Sequence, residues 1–600
     1  MKYKTVQSAL DDRFQEKYNN RVAIQHLNQQ ITYKQLRDAS NVLLKNMLAT
    51  GAKHGMHIGV LASDRTLVIP AAIAIFKMGG VFVPLDPAYP LNRLKVMAEK
   101  AALACLLIDD TLCGEWENSF GREVIKTVPV NREVIFDADL YVEDPGNYPA
   151  NENDPLYIYF TSGTTGQPKA IIGKNVSLMH FVDWEINAFG FDADTRVSQL
   201  TSPSHDPYLR DVFSTLTAGG TVCIPDNQFT VLSPFELKHW INSSNVHIIH
   251  CTPTMFRNIC NGNLDGADFQ ALRYVLIAGE KLLPGDLKVW YNTFGERIKL
   301  VNLYGPTETT MAKLAYHIST ADLDRNFIPI GKPISDTAVF ILNEKMQRCQ
   351  EEEIGELYIS TPYRSLGYYK NDSLNEQLFI RDPFDPLNET LLYKTGDFVF
   401  QLADQNIVFH ERKDRQVKIR GKQVNLTEVE EELINHIGIH NCIVVPFNAD
   451  GGENTECLVA YYMGDDNWGR EEFNSVLKER LPEYMLPQVY IKVPFFPMNV
   501  NGKIELSALP DPTPSFNDST AADDDIEDKL IHIWKGILNN DGIGRQDVFM
   551  QVGGDSLGIM LLTAQVHKEF DFELSVWQIF DDLTIEKLST YIKETNAKVV

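Results

Sequence analysis

Two stretches of this chain place reactive side chains where backbone geometry could use them. Residues 157–171, YIYFTSGTTGQPKAI, run an apolar strand into a turn that interleaves hydroxyls with glycines, Thr161, Ser162, Gly163, Thr164, Thr165 and Gly166, and then reach Lys169. Such a loop can wrap a polyphosphate with backbone N–H groups, hydroxyls and one cation. It is not the G-x-x-x-x-G-K-[ST] loop, because no Gly-Lys-Ser/Thr follows at that spacing. Residues 547–560, DVFMQVGGDSLGIM, set Ser556 after a Gly-Gly turn at the head of an apolar helix. A serine there caps the helix, or offers its hydroxyl for modification.

The elements that must position these residues alternate between apolar β-runs and amphipathic helices from about residue 20 to 400. HIGVLAS (57–63) precedes LVIPAAIAIFKMG (67–79), and VFVPLDP (81–87) precedes LNRLKVMAEKA (91–101). This alternation predicts an α/β fold with parallel sheets and crossover helices. Near Asp414 a smaller α+β unit begins: QVKIRG reads as a strand, NLTEVEEELINH as a helix with an acidic first turn, IVVPF and CLVAYYM as further strands. PTPSFNDSTAADDD (512–525) has linker composition. Helix-period patterns in IEDKLIHIWKGIL, SLGIMLLTAQVHKEF and TIEKLSTYIKE then predict a four-helix bundle. The expected divisions are 1–413, 414–511, 512–525 and 526–600.

With 55 basic and 81 acidic residues the formal charge is −26, which argues against nucleic acid as a partner, since phosphate binding needs clustered Lys and Arg. From Asp511 onward there are 17 acidic and 7 basic residues, a surface suited to solvent or to basic partners. Eight scattered cysteines without C-x-x-C spacing predict neither a zinc site nor a disulfide framework. The first 20 residues lack a signal pattern and no apolar run reaches membrane-spanning length. A reduced, cytoplasmic enzyme with no membrane partner is expected.

The 157–171 phrase resembles the phosphate loop of the adenylate-forming superfamily, and four further phrases follow in that family's order: NLYGPTETT (302–310), LLYKTGDFV (391–399), ERKDRQVKIRG (411–421) and NVNGKIEL (499–506). The resemblance covers roughly residues 20–510. It implies that a carboxylate attacks the α-phosphate of ATP to give an acyl-adenylate, with Mg²⁺ and cationic side chains offsetting the repulsion of two anions. By that resemblance Glu308 would ligate Mg²⁺, Thr309 would contact the α-phosphate, and Tyr304 would stack near adenine. Asp397 would accept from the ribose hydroxyls with Arg412 nearby, and Lys503 would bridge substrate carboxylate and phosphate. Asp414 would be the hinge on which the small unit turns, withdrawing Lys503 and admitting a thiol.

The 547–560 phrase resembles the attachment motif of peptidyl and acyl carrier proteins. It implies a 4′-phosphopantetheine arm on Ser556, installed by a phosphopantetheinyl transferase and bearing the acceptor thiol. Together the two resemblances point to an adenylation domain of the nonribosomal peptide synthetase type fused to its carrier, a loading or stand-alone module for a small carboxylic acid, most naturally an amino acid. A downstream condensation, ketosynthase or tailoring domain would be its partner. An acyl-CoA-ligase-like or oxidative adenylate enzyme, and a non-enzymatic adenylate binder, are the alternatives. In the amino-acid-activating branch the phrase at SHDPYLRDVF (204–213) supplies the carboxylate for the α-ammonium, here Asp206, with His205 where phenylalanine is usual. The carried-over pocket is Pro207, Arg210, His250, Leu276, Ala278, Leu303, Met311 and Ala312. Arg210 and His250 would favour a substrate with an acceptor group. Asp206 and Arg210, four residues apart, could instead pair on a helix, which would open the site to acids without an α-amine.

Overall fold

The computed structural model describes the chain except residues 28, 121–124, 138–143, 147, 162–167, 228–229, 232, 386–389, 413–415, 420–421, 438, 440, 448–456, 465–467, 495, 497–505, 507–508, 511, 513–524, 539–542, 550–555, 571, 573–582 and 597–600.

Strand and helix alternate from the start as the pattern predicts: strand His57–Leu61, helix Arg65–Lys77, strand Val81–Leu85, helix Leu91–Lys100, strand Cys105–Asp109. The last two strands, VFVPL and CLLID, are buried at every position, as a parallel sheet covered on both faces requires. They belong, with His57–Leu61, to a seven-stranded sheet in which these three strands pair in parallel. A nine-stranded sheet, with Ile248–Cys251, Tyr274–Ala278 and Lys299–Tyr304 at its centre, is the second layer. The main core draws Ile58 and Leu107 from the first sheet and Val222, Ile248, Leu276 and Val301 from the second. Phe76, Tyr208 and Phe213 of the intervening helices join them.

A five-stranded antiparallel sheet, including Gly355–Ser360, Leu392–Gln401 and Ile407–Arg412, completes the large unit. Within Leu392–Gln401 the register slips: Glu356 pairs with Phe398 but Tyr358 pairs with Lys394. Gly396 occupies this bulge at φ +73°, a conformation glycine adopts without steric cost. The bulge turns Asp397 so that its backbone N–H donates to Thr395 Oγ1 at 3.0 Å.

After residue 415 a hairpin, Gln416–Ile419 with Lys422–Asn425, leads to helix Leu426–Ile437 and a three-stranded sheet, Asn441–Phe447, Cys457–Met463 and Val489–Lys492. Val424, Leu433, Leu458 and Phe473 are among the side chains of a core of its own. Helices Asp525–Leu538, Ser556–Phe570 and Ile585–Asn596 form another around Trp534, Leu562 and Leu588. No helix among the described residues is long and apolar enough to cross a membrane.

Candidate active site

A cleft of about 1970 Å³ lies where the strand ends of the large unit meet the hairpin of the small unit. Strand Lys299–Tyr304 ends on its wall and runs into Gly305, where an added Cβ would stand 2.2 Å from Met311 O and 2.6 Å from Ala312 Cα. Only glycine lets the following turn fold back so closely. That turn holds Thr310 and Met311 at φ +65° and +62°, a strained pair for side-chain-bearing residues, of the kind kept at functional sites.

On one side of the cleft Asp397, almost fully buried, accepts from Arg412 Nη1 at 2.7 Å and from the Tyr304 hydroxyl. Burial, and after it the Asp397 charge, hold the Tyr304 phenol well above its ordinary range, so it remains a donor. Arg412 also reaches Gln416 Oε1 at 3.3 Å, tying the Asp397–Arg412–Tyr304 cluster to the first residue of the hairpin. Glu308, also buried, accepts from the Tyr368 hydroxyl at 2.5 Å, and Tyr368 is likewise raised well above the usual range by burial and then by Glu308. Among the described residues Glu308 makes no ion pair. Thr309 is fully buried, donates to Pro306 O at 3.0 Å and is not on the cleft wall; Thr307 is. Lys169 opens strand Lys169–Lys174 opposite Thr161 and lies 6.0 Å from the Tyr368 ring.

Elsewhere on the cleft wall Asp206 precedes helix Pro207–Ala218 but does not cap it. Its Oδ1 instead accepts from Thr307 Oγ1 at 3.0 Å, so the pairing with Arg210 that the spacing allows is not made. Burial pushes the Asp206 carboxyl up to about 6. Pro207, Arg210, His250, Ala278, Leu303, Met311 and Ala312 line the cleft with it. Leu276 does not: it is fully buried and packs in the main core. His205, at the position where phenylalanine is usual, meets polar neighbours: its Nδ1 lies 3.2 Å from Ser204 Oγ, and burial, with Lys422 of the hairpin next in importance, pushes its imidazole down to about 4.

The residues the sequence reading missed stand behind this wall. Glu185 and Asp211, both fully buried, flank His250: Glu185 Oε1 is 3.1 Å from Nε2 and Asp211 Oδ1 is 2.8 Å from Nδ1. Burial opposes charge on this imidazole, but Glu185 and the bonds to both carboxylates outweigh it, and His250 is raised above its ordinary range. Glu185 carried a signal: it continues the buried face of Leu178, Phe181, Val182 and Phe189 in helix Asn175–Phe189, where a carboxylate needs a partner. Tyr368, Thr307 and Lys422 carried none that local pattern could supply.

The small unit is fastened to the large one by Arg93 Nη1, which donates to Glu428 Oε1 at 2.8 Å with both side chains buried. Beside it the Tyr89 and Tyr484 rings approach to 6.5 Å. Four groups of residues predicted for the site fall outside the described residues in whole or part: the Ser162–Thr165 loop segment, the hinge Asp414 and Lys503 entirely, and the side chain of Ser556, whose backbone opens helix Ser556–Phe570.

The profile of the AMP-binding enzyme family matches residues 11–369. The chain belongs to that family. A second profile, the phosphopantetheine attachment site, matches residues 528–592, so this AMP-binding enzyme carries a region of the carrier type behind its catalytic units. It is 32% identical over 564 residues to bacitracin synthase 1 of Bacillus licheniformis, covering 93% of this chain and 10% of that protein. To gramicidin S synthase 2 of Brevibacillus brevis it is 30% identical over 583 residues, 96% of this chain and 13% of that one. The chain thus spans a small fraction of these relatives' length. Its fold superposes with a TM-score of 0.81 on holo-PA1221, described as a nonribosomal peptide synthetase protein with adenylation and carrier domains bound to a vinylsulfonamide inhibitor. That match has 22% identity and covers 98% of this chain and 96% of the other.

Proposed function

We propose that this AMP-binding enzyme activates a small carboxylic acid, most naturally an amino acid, with ATP and passes the acyl group to a thiol borne by its own C-terminal bundle. The observation that carries the reading is that one cleft gathers the Asp397–Arg412–Tyr304 cluster, the Glu308 carboxylate and the Asp206 pocket.

In the first half-reaction a substrate carboxylate oxygen bonds to the α-phosphorus of ATP as pyrophosphate leaves. Asp397 accepts from the ribose hydroxyls, its geometry held by Arg412 and Tyr304, and Asp206 receives the α-ammonium. The Glu308 carboxylate, buried and without an ion pair among the described residues, suits a hard divalent cation. Mg²⁺ held there with the phosphate oxygens would offset their charge. No group of three or more described His, Cys, Asp or Glu side chains could hold a metal by itself. Lys503 supplies the mobile positive charge at the meeting of the two anions. In the second half-reaction an arm held by Ser556 would supply the thiol that takes the acyl group, with AMP released.

The proposed division is 1–413 for the large unit, 414–511 for the mobile small unit with its hinge at Asp414, 512–525 for the joining segment and 526–600 for the carrier. A phosphopantetheinyl transferase supplies the arm, and a condensation-type, ketosynthase or tailoring domain receives the product. Amino-acid-dependent ATP–pyrophosphate exchange tests the reading: it is expected in the wild type and in Ser556→Ala and lost in Lys503→Ala. Exchange undiminished in Lys503→Ala would overturn the mechanism.

A further inference from the structure

The wall of the acyl pocket contains one cation whose hydrogen-bonding capacity is unspent. Arg210 is 4% exposed, its side chain faces the cleft, and it makes no hydrogen bond among the described residues. Its nearest carboxylate, Asp211, stands 3.8 Å from Nε, beyond hydrogen-bond reach. The reason lies behind it: Asp211 turns Oδ1 toward His250 Nδ1, and Glu185 gives one oxygen to His250 Nε2 and the other to the Ser214 hydroxyl at 2.5 Å. The two carboxylates hold the imidazolium between them. His250 is therefore flanked by a carboxylate at each ring nitrogen, and Arg210, among the described residues, keeps donors to present to a ligand.

A desolvated guanidinium with no acceptor is costly, and the group that relieves it best offers two oxygens in one plane, because the fork of N–H donors then bonds in parallel. A carboxamide places one oxygen and one NH₂ before the same fork, and the NH₂ faces N–H donors of its own kind. Arg210, in the first turn of helix Pro207–Ala218, follows the N-cap residue Asp206 by four positions, an axial separation of about 6 Å. A ligand whose ammonium lies at Asp206 thus has its far end at Arg210 after a short methylene chain. Pro207, Leu303, Met311 and Ala312 give that chain apolar walls.

We propose that the acyl pocket selects an acid bearing a second carboxylate, received by Arg210, with the Glu185–His250–Asp211 group holding Arg210's surroundings in place. The proposal rests on the activation reading given above. It is tested on the full-length protein by ATP–pyrophosphate exchange with glutamate and 2-aminoadipate against glutamine and norleucine. One of the dicarboxylic acids is expected to exceed both neutral acids by roughly 100-fold or more in kcat/KM, the discrimination typical of a site built to bond a polar group. Arg210→Met is expected to reverse the order in favour of norleucine, and Arg210→Lys to keep the preference with a weakened ratio. Wild-type exchange with a neutral acid and not with the dicarboxylic ones would overturn the inference while leaving activation standing, and this comparison holds even if a variant fails to fold. An unchanged order in Arg210→Met would also overturn it. Silence of the wild type with all of these and with a broad panel of other amino, hydroxy and keto acids would fell activation itself.

Discussion

Replacing Arg93 by methionine should separate the two half-reactions. Arg93 and Glu428 join the large and small units through a 2.8 Å bond with side-chain exposures of 8% and 1%. Removing the guanidinium leaves a carboxylate buried without its partner, a loss of about 3–5 kcal/mol for the orientation that contains the pair. In the proposed turning of the small unit about Asp414, this contact would be made in only one orientation. In the present one the hairpin faces the cleft, and Lys422 is a cation it brings there. We propose that this orientation, with the hairpin at the cleft, serves acyl transfer. If half of the loss falls on the balance between orientations, the shift is about 2 kcal/mol, or roughly 30-fold. Pyrophosphate exchange and single-turnover loading of the arm, measured on the same preparation, should respond unequally: loading falls by about 10- to 30-fold while exchange holds or rises. The double variant Arg93→Met/Glu428→Gln, which removes the orphaned charge, should recover part of the loading. Equal losses in both half-reactions, or none in either, would refute the assignment of the pair to one orientation.

Two further predictions concern protonation. With the Asp206 carboxyl raised to about 6 by burial, binding of a substrate ammonium should strengthen as pH rises through 6 and then level off. The pH profile of kcat/KM for exchange should show that limb in the wild type, and Asp206→Asn should lack it. Lys313 is fully buried, its Nζ has no hydrogen-bond partner among the described residues, and burial pushes it down to about 7. The penalty for its charge is complete below pH 7 and fades as pH climbs from 7 toward 10.5, because over that range the unfolded chain holds the proton that the folded chain has released. Lys313→Met should accordingly be more stable than wild type at pH 6–7 by about 2–4 kcal/mol, with the difference shrinking by pH 9. Chemical denaturation at the two pH values checks both magnitude and sign.

What could be read from the sequence was what lies within one stretch of backbone. Gly396 and Asp397 share a bulge, Gly305 and Glu308 share a turn, and Ser556 follows its glycines, so local composition carries their geometry. Boundaries were legible for the same reason: HIGVLAS and VFVPLDP became strands ending at Leu61 and Leu85, where capping and turn residues take over. Contacts across elements were not. The spacing of Asp206 and Arg210 allowed an ion pair, but a threonine 101 residues away holds Asp206 and two carboxylates on different helices hold His250. Leu276 sits one turn of alternation from Ala278 on the same strand face, yet only Ala278 reaches the cleft. Family position alone does not say how far a side chain extends.

In the function proposed, one cleft makes an acyl-adenylate and hands its acyl group to Ser556. Intact-protein mass spectrometry of the phosphopantetheinylated chain after incubation with ATP, Mg²⁺ and a mixed acid panel tests it most directly. The predicted result is a single acyl mass added at Ser556, dependent on ATP and absent from Lys503→Ala and Ser556→Ala. An acyl mass at another residue, or none at Ser556 while the same protein catalyses pyrophosphate exchange, would contradict it.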